Sequence, residues 1–75
     1  MKKVKIQILV VYNGVLSEIY HFIVNTDDEP EYYLLTLMND IEQTDSHIFS
    51  GANIKVGMSK EFLHQCVLIA QEVIE

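Results

Sequence analysis

Apolar and polar residues alternate along both arms flanking Asn13-Gly14, the dipeptide best suited to the two positive φ angles of a type I′ turn. The pattern predicts a β-hairpin over residues 3–25. A two-residue loop with regular pairing sets Val4 opposite Ile23, Ile6 opposite His21, Ile8 opposite Ile19 and Val10 opposite Ser17 on the face expected to join the core. The other face then pairs Lys3 with Val24, Lys5 with Phe22, Gln7 with Tyr20, Leu9 with Glu18 and Val11 with Leu16. That second face should be wet, yet it carries Leu9, Val11, Leu16, Tyr20, Phe22 and Val24 within a border of Lys3, Lys5, Gln7 and Glu18. An apolar patch with a polar rim is what an association surface looks like.

Asp28-x-x-Glu31 with Pro30 between them marks a helix start, because acidic groups there oppose the positive end of the helix dipole and accept its free amides. The helix is expected to run to about residue 43. Leu34, Leu37, Met38 and Ile41 recur at helical spacing, Tyr33 and Leu35 widen the stripe, and Thr36, Asn39 and Asp40 face outward. Turn chemistry at Thr44-Asp45-Ser46 and Ser50-Gly51-Ala52-Asn53 brackets short apolar pieces, of which Ile54-Lys55-Val56 reads as a third strand. Ser59 reads as the cap of a last helix whose stripe is Phe62, Leu63, Cys66, Val67, Ala70, Val73 and Ile74. On that helix Leu68 falls among His64, Glu61, Glu72 and Glu75 and is expected to be exposed. The order ββαβα defines an α+β fold of two layers in one domain over residues 1–75, an antiparallel N-terminal hairpin plus a short third strand with two helices on one face.

Composition sharpens this picture. Of 75 residues 49% are apolar, and the five basic residues are all lysine against eleven acidic ones, giving a net charge of −6. A folded monomer of this size exposes about 4,700 Å² and buries only about 60% of its unfolded surface, so some apolar side chains must remain outside. Intrinsic disorder does not fit so apolar a chain. The longest unbroken apolar run, Ile8 to Tyr12, is far shorter than the roughly 20 residues of a membrane span. Met1-Lys2-Lys3 resembles the start of a secretory leader, but Lys5 and Gln7 interrupt the apolar stretch and no small-residue cleavage site follows, so a cytoplasmic location is expected. The single cysteine, Cys66, cannot form an internal disulfide.

Candidate chemistry is sparse. His21, His47 and His64 lack the paired spacing of a metal site, and His21 is expected to face Ile6 in the core. Asp45-Ser46-His47 contains the residue types of a hydrolase triad, but adjacent residues cannot aim at one another, and the segment reads as a turn. Cys66 has no cationic neighbour in the sequence pattern and reads as an inert thiol. Gly51 and Gly57 are not followed by the Lys-Ser/Thr of a phosphate loop. No cofactor, metal or catalytic residue is therefore expected, although catalytic groups distant in sequence can still converge in a fold. An Arg-free acidic chain is also a poor match for nucleic acid.

Asp27, Asp28, Glu29, Glu31, Asp40, Glu42 and Asp45 crowd a segment without lysine. It is either a solvated helix face or a surface that attracts a basic partner. The expected function is a small, non-enzymatic protein-binding module, of inhibitor or immunity type, that docks on a basic surface of a larger protein, such as a nucleic-acid-binding one. Anti-restriction and anti-CRISPR proteins fill such roles. The expected contact residues are Leu16, Tyr20, Phe22, Asp27, Asp28, Glu29, Glu31, Tyr32, Asp40 and Leu68. The alternative is a homo-oligomer, most simply a dimer, with a structural or small-ligand-binding role.

Overall fold

The computed structural model describes residues 1–74. Strands β1 (Lys2–Tyr12) and β2 (Val15–Thr26) form the expected hairpin, followed by helix α1 (Pro30–Thr44), strands β3 (His47–Ser50) and β4 (Lys55–Met58), helix α2 (Lys60–Leu63) and strand β5 (Cys66–Glu72). The architecture is α+β, with a three-stranded antiparallel sheet in the order β2-β1-β5 and a separate two-stranded sheet of β3 and β4. Both helices lie on one side of the larger sheet.

Asn13 and Gly14 take φ angles of 51° and 76°, as the type I′ turn requires. Val11 faces Leu16 as expected, but the register shifts between Val10 and Val11, and Ser17 is the extra residue of a β-bulge. From there the pairs are Val10 with Glu18, Ile8 with Tyr20, Ile6 with Phe22 and Val4 with Val24. A slip of one residue exchanges the two faces of a strand. Tyr20, Phe22 and Val24 therefore point inward, while Ile19, His21 and Ile23 point out, and His21 is exposed opposite Gln7 rather than set in the core.

The C-terminal segment departs furthest from its helical periodicity. Helix α2 is a single turn, capped by Ser59, whose Oγ accepts the Phe62 N–H at 3.0 Å. The chain then reverses at His64 and Gln65 and runs back as β5 beside β1. Cys66-Val67-Leu68-Ile69-Ala70 is a continuous apolar run that fits either a buried helix or a strand. The open edge of β1 decides between them, since a helix would leave a row of its backbone groups unpaired. Seven residues of β5, from Cys66 opposite Val10 to Glu72 opposite Val4, fill that edge. Leu68 is consequently not exposed on a polar helix side. It lies opposite Ile8, half-buried against the core.

The segment around Ile54 does yield a strand, β4, but it pairs with β3 and not with the hairpin. Phe49 of β3 stacks on Phe22, ring centroids 5.5 Å apart, and ties the small sheet to the large one. Helix α1 starts at Pro30 after an N-cap at Glu29 that makes no side-chain cap bond, and it ends at Asp45, whose φ of 58° lets its N–H reach the Ile41 carbonyl at 2.8 Å. Leu37 and Ile41 of α1, Leu63 of α2 and Met58 of β4 pack over Val4, Ile6, Ile8 and Val10 of β1, forming one continuous core. β1 is its axis: all four of these residues are 1% exposed or less.

Candidate functional surfaces

The molecule presents two surfaces of opposite character on opposite layers. On the outer face of the large sheet, Leu9 of β1 lies between Ile19 of β2 and Val67 of β5, a row of aliphatic side chains crossing all three strands. Ile19 and Val67 are 47% and 52% exposed. Val11 and Leu16 extend this patch toward the turn, and Ile23 and Ile69 extend it the other way. Its charged side chains are Lys3 and Lys5. Among the described residues the pleat places no carboxylate on it, because Glu18 and Glu72 pair with the inward-facing Val10 and Val4. The total surface, 5171 Å², exceeds the roughly 4,700 Å² usual for this mass.

The second surface is the outward side of α1. Because Leu37 and Ile41 hold the helix to the core, the opposite stripe of Tyr32, Leu35, Thr36, Asn39 and Gln43 meets solvent. Tyr32 and Leu35 are 62% and 67% exposed. Asp28, Glu31, Asp40 and Glu42 flank them, all exposed. Asp28 and Asp40 also border a shallow depression of about 260 Å³ beside Tyr33, Thr36 and Leu37. Part of the neighbouring acidity is answered within the chain: the terminal amine of Met1 lies 3.6 Å from Asp27, Lys2 pairs with Glu29, and His64 Nε2 is 2.6 Å from Glu42. The bond to Glu29 is the main reason the Lys2 ammonium is held above its usual range.

These positions divide the contact residues expected from the sequence. Asp27, Asp28, Glu29, Glu31, Tyr32 and Asp40 are exposed on the α1 side, and Leu16 is exposed on the sheet side near the turn. Phe22, by contrast, is 3% exposed and belongs to the core. Tyr20 is half-buried on the inner face, its hydroxyl donating to the Glu18 carboxylate, a bond that raises the phenol above its ordinary range. Leu68 is half-buried beside Ile8. The bulge and the strand β5 thus take Tyr20, Phe22 and Leu68 off the exposed sheet face. Ile19, Ile23, Val67 and Ile69 replace Tyr20, Phe22 and Leu68 as exposed apolar residues. Ser17, the small polar residue between Leu16 and Glu18, is the position of the bulge that moves Ile19 and Ile23 outward.

The groups with reactive potential lie apart. His47 sits edge-on to Phe49 at 4.7 Å, His64 faces Glu42, and His21 is on the outer face of the sheet. Partial burial on the inner face of β5 pushes the Cys66 thiol upward in pKa. Among the described residues no three His, Cys, Asp or Glu side chains converge as a metal-binding group would, and no helix is long and apolar enough to cross a membrane. No family model, curated protein or solved structure matches this chain.

Proposed function

We propose that this chain is a small, non-enzymatic protein-binding module, of inhibitor or immunity type, that docks the outward side of α1 on a basic surface of a larger protein. One observation carries the reading: Tyr32 and Leu35 stand exposed in the middle of a lysine-free acidic segment. Carboxylates around such a site steer a basic partner and accelerate encounter. A Tyr and a Leu at its centre supply the desolvated contacts that hold the complex, with full burial of one aliphatic side chain contributing about 1.5–3 kcal/mol. Charge alone would serve solubility equally well. The exposed Tyr32 and Leu35 are what favour a docking surface over a merely solvated helix.

The test compares wild-type chain, a Tyr32→Ala/Leu35→Ala variant and an Asp28→Lys/Glu31→Lys/Asp40→Lys variant as immobilised baits, and then titrates any recovered protein in purified form. The reading expects a partner with a basic patch, bound at fixed stoichiometry, released by salt and lost with either variant. Recovery of no protein that both variants lose overturns it.

A further inference from the structure

The outer edge of β2 carries an inference that is independent of α1. Val11 donates its N–H to the Gln65 carbonyl at 2.9 Å, and Val73 donates to the Lys3 carbonyl at 2.8 Å. Odd-numbered residues of β1 therefore direct their backbone groups toward β5, and Val4, Ile6, Ile8 and Val10 direct theirs toward β2. The partners of those four are the even-numbered residues of β2 beyond the bulge. It follows that the N–H and C=O groups of Ile19, His21, Ile23 and Asn25 point away from the sheet. β2 and β5 are the two edge strands of this sheet, and β2 is the longer, 12 residues against 7.

Edges of this kind are normally guarded by lysine, proline, a bulge or a short strand, and the bulge of β2 lies at Ser17, outside the stretch from Ile19 to Asn25. β2 is 12 residues long and contains no Lys, Arg or Pro, and Glu18 is its one charged residue. Beside the free backbone groups stand Ile19 and Ile23, 47% and 54% exposed.

We propose that β2 pairs antiparallel with β2 of a second copy about a two-fold axis at His21, joining two three-stranded sheets into one of six strands. The strand is complementary to itself in this register. Ile19 meets the partner's Ile23 on the outer face, and Glu18 lies opposite the partner's Val24, so no carboxylates oppose. Although each copy carries a charge of −6, its acidic α1 side does not enter the seam. The three bonded pairs at Ile19, His21 and Ile23 supply about six backbone hydrogen bonds. The contact is at the small end of interface sizes, so the dimer is concentration-dependent and not obligate.

Sedimentation velocity across the micromolar range tests this, together with amide exchange at low and high concentration. The expected result is a monomer–dimer equilibrium in which the amides of Ile19, His21 and Ile23 gain protection as concentration rises. Ile19→Lys/Ile23→Lys sets lysines opposite one another across the axis and should weaken association at least about tenfold while leaving the circular dichroism spectrum unchanged. His21→Pro removes one outward N–H and should act in the same direction. Val67→Lys/Ile69→Lys alters the same outer face away from the seam and should leave the dimer intact. A strict monomer at several hundred micromolar overturns the proposal. So does a dimer that survives the β2 variants and is lost in the β5 variant, since that would be packing through the outer face or through the β5 edge.

Discussion

Phe22 and Phe49 stack with ring centroids 5.5 Å apart and planes inclined by 30°, and this contact is the aromatic link between the two sheets. Gly51 lies beneath the same ring, where an added Cβ would meet Phe22 at 3.5 Å. Phe22→Ala should therefore cost about 3–5 kcal/mol in urea unfolding, the usual range for deleting a buried aromatic ring. Leu16→Ala, on the exposed arm of the same strand, should cost under about 0.5 kcal/mol.

The bulge makes a sharper prediction. Deleting Ser17 should restore regular pairing from the turn onward, with Tyr20, Phe22 and Val24 still facing inward, and the protein should remain folded to within about 1 kcal/mol. Deleting His21 shortens the strand equally, but it turns Phe22 and Val24 outward and should cost more than about 3 kcal/mol. Equal losses in thermal melts of the two deletions would count against the bulge assignment.

Adjacent residues on β5 should behave in opposite ways. Leu68→Asp places a carboxylate against Ile8 and the core, and should unfold the protein or destabilise it by more than about 3 kcal/mol. Val67→Asp alters a side chain that is 52% exposed, and should change stability by under about 1 kcal/mol. A C-terminal helix would give a different pattern, so chemical denaturation of the pair reports directly on the strand.

Burial raises the Cys66 thiol, which keeps it protonated at neutral pH. Iodoacetamide should label it more slowly than an unfolded control, with the difference widening between pH 7 and the alkaline range as the unfolded thiol ionises first. The folded state holds this proton more tightly than the unfolded state. Its contribution to stability is thus fully present below the unfolded thiol's pKa and is lost as pH rises through the folded value. Mass spectrometry of pulse-labelled samples gives the rates.

Ser59 fixes the one-turn helix that reverses the chain into β5. Ser59→Ala removes the bond to the Phe62 amide and should cost about 1 kcal/mol, read as a fall in melting temperature. Ser59→Asp should restore most of the loss, because its carboxylate caps the same N–H.

How far the sequence discloses this fold depends on how local the cause is. Asn13-Gly14 and the Pro30 start of α1 are local signals, and both elements form where they are expected. Ser17 is different. Its hydroxyl lies 3.4 Å from the Val15 carbonyl, yet nothing in its chemistry demands an extra residue; the bulge turns Tyr20, Phe22 and Val24 to the inner face and leaves Ile19 and Ile23 outside. Cys66 to Ala70 fits two periodicities, and the fact that chooses between them is the vacant side of β1, some sixty positions away in the chain. The acidic character of the α1 side was legible directly, since charge on a helix end needs no tertiary information. Which apolar residues lie bare on the other layer was not, since both the bulge and β5 change the answer.

The pairing of β1 with β5 joins the first strand of this chain to its last. Because β2, α1, β3, β4 and α2 all lie between them in the chain, the strand that forms the axis of the core is synthesised well before its second neighbour. Until then, Val4 to Val10 are lined on one flank only. The large sheet therefore closes late, like a clasp, and a chain interrupted anywhere before β5 presents a bare sheet margin at its very centre.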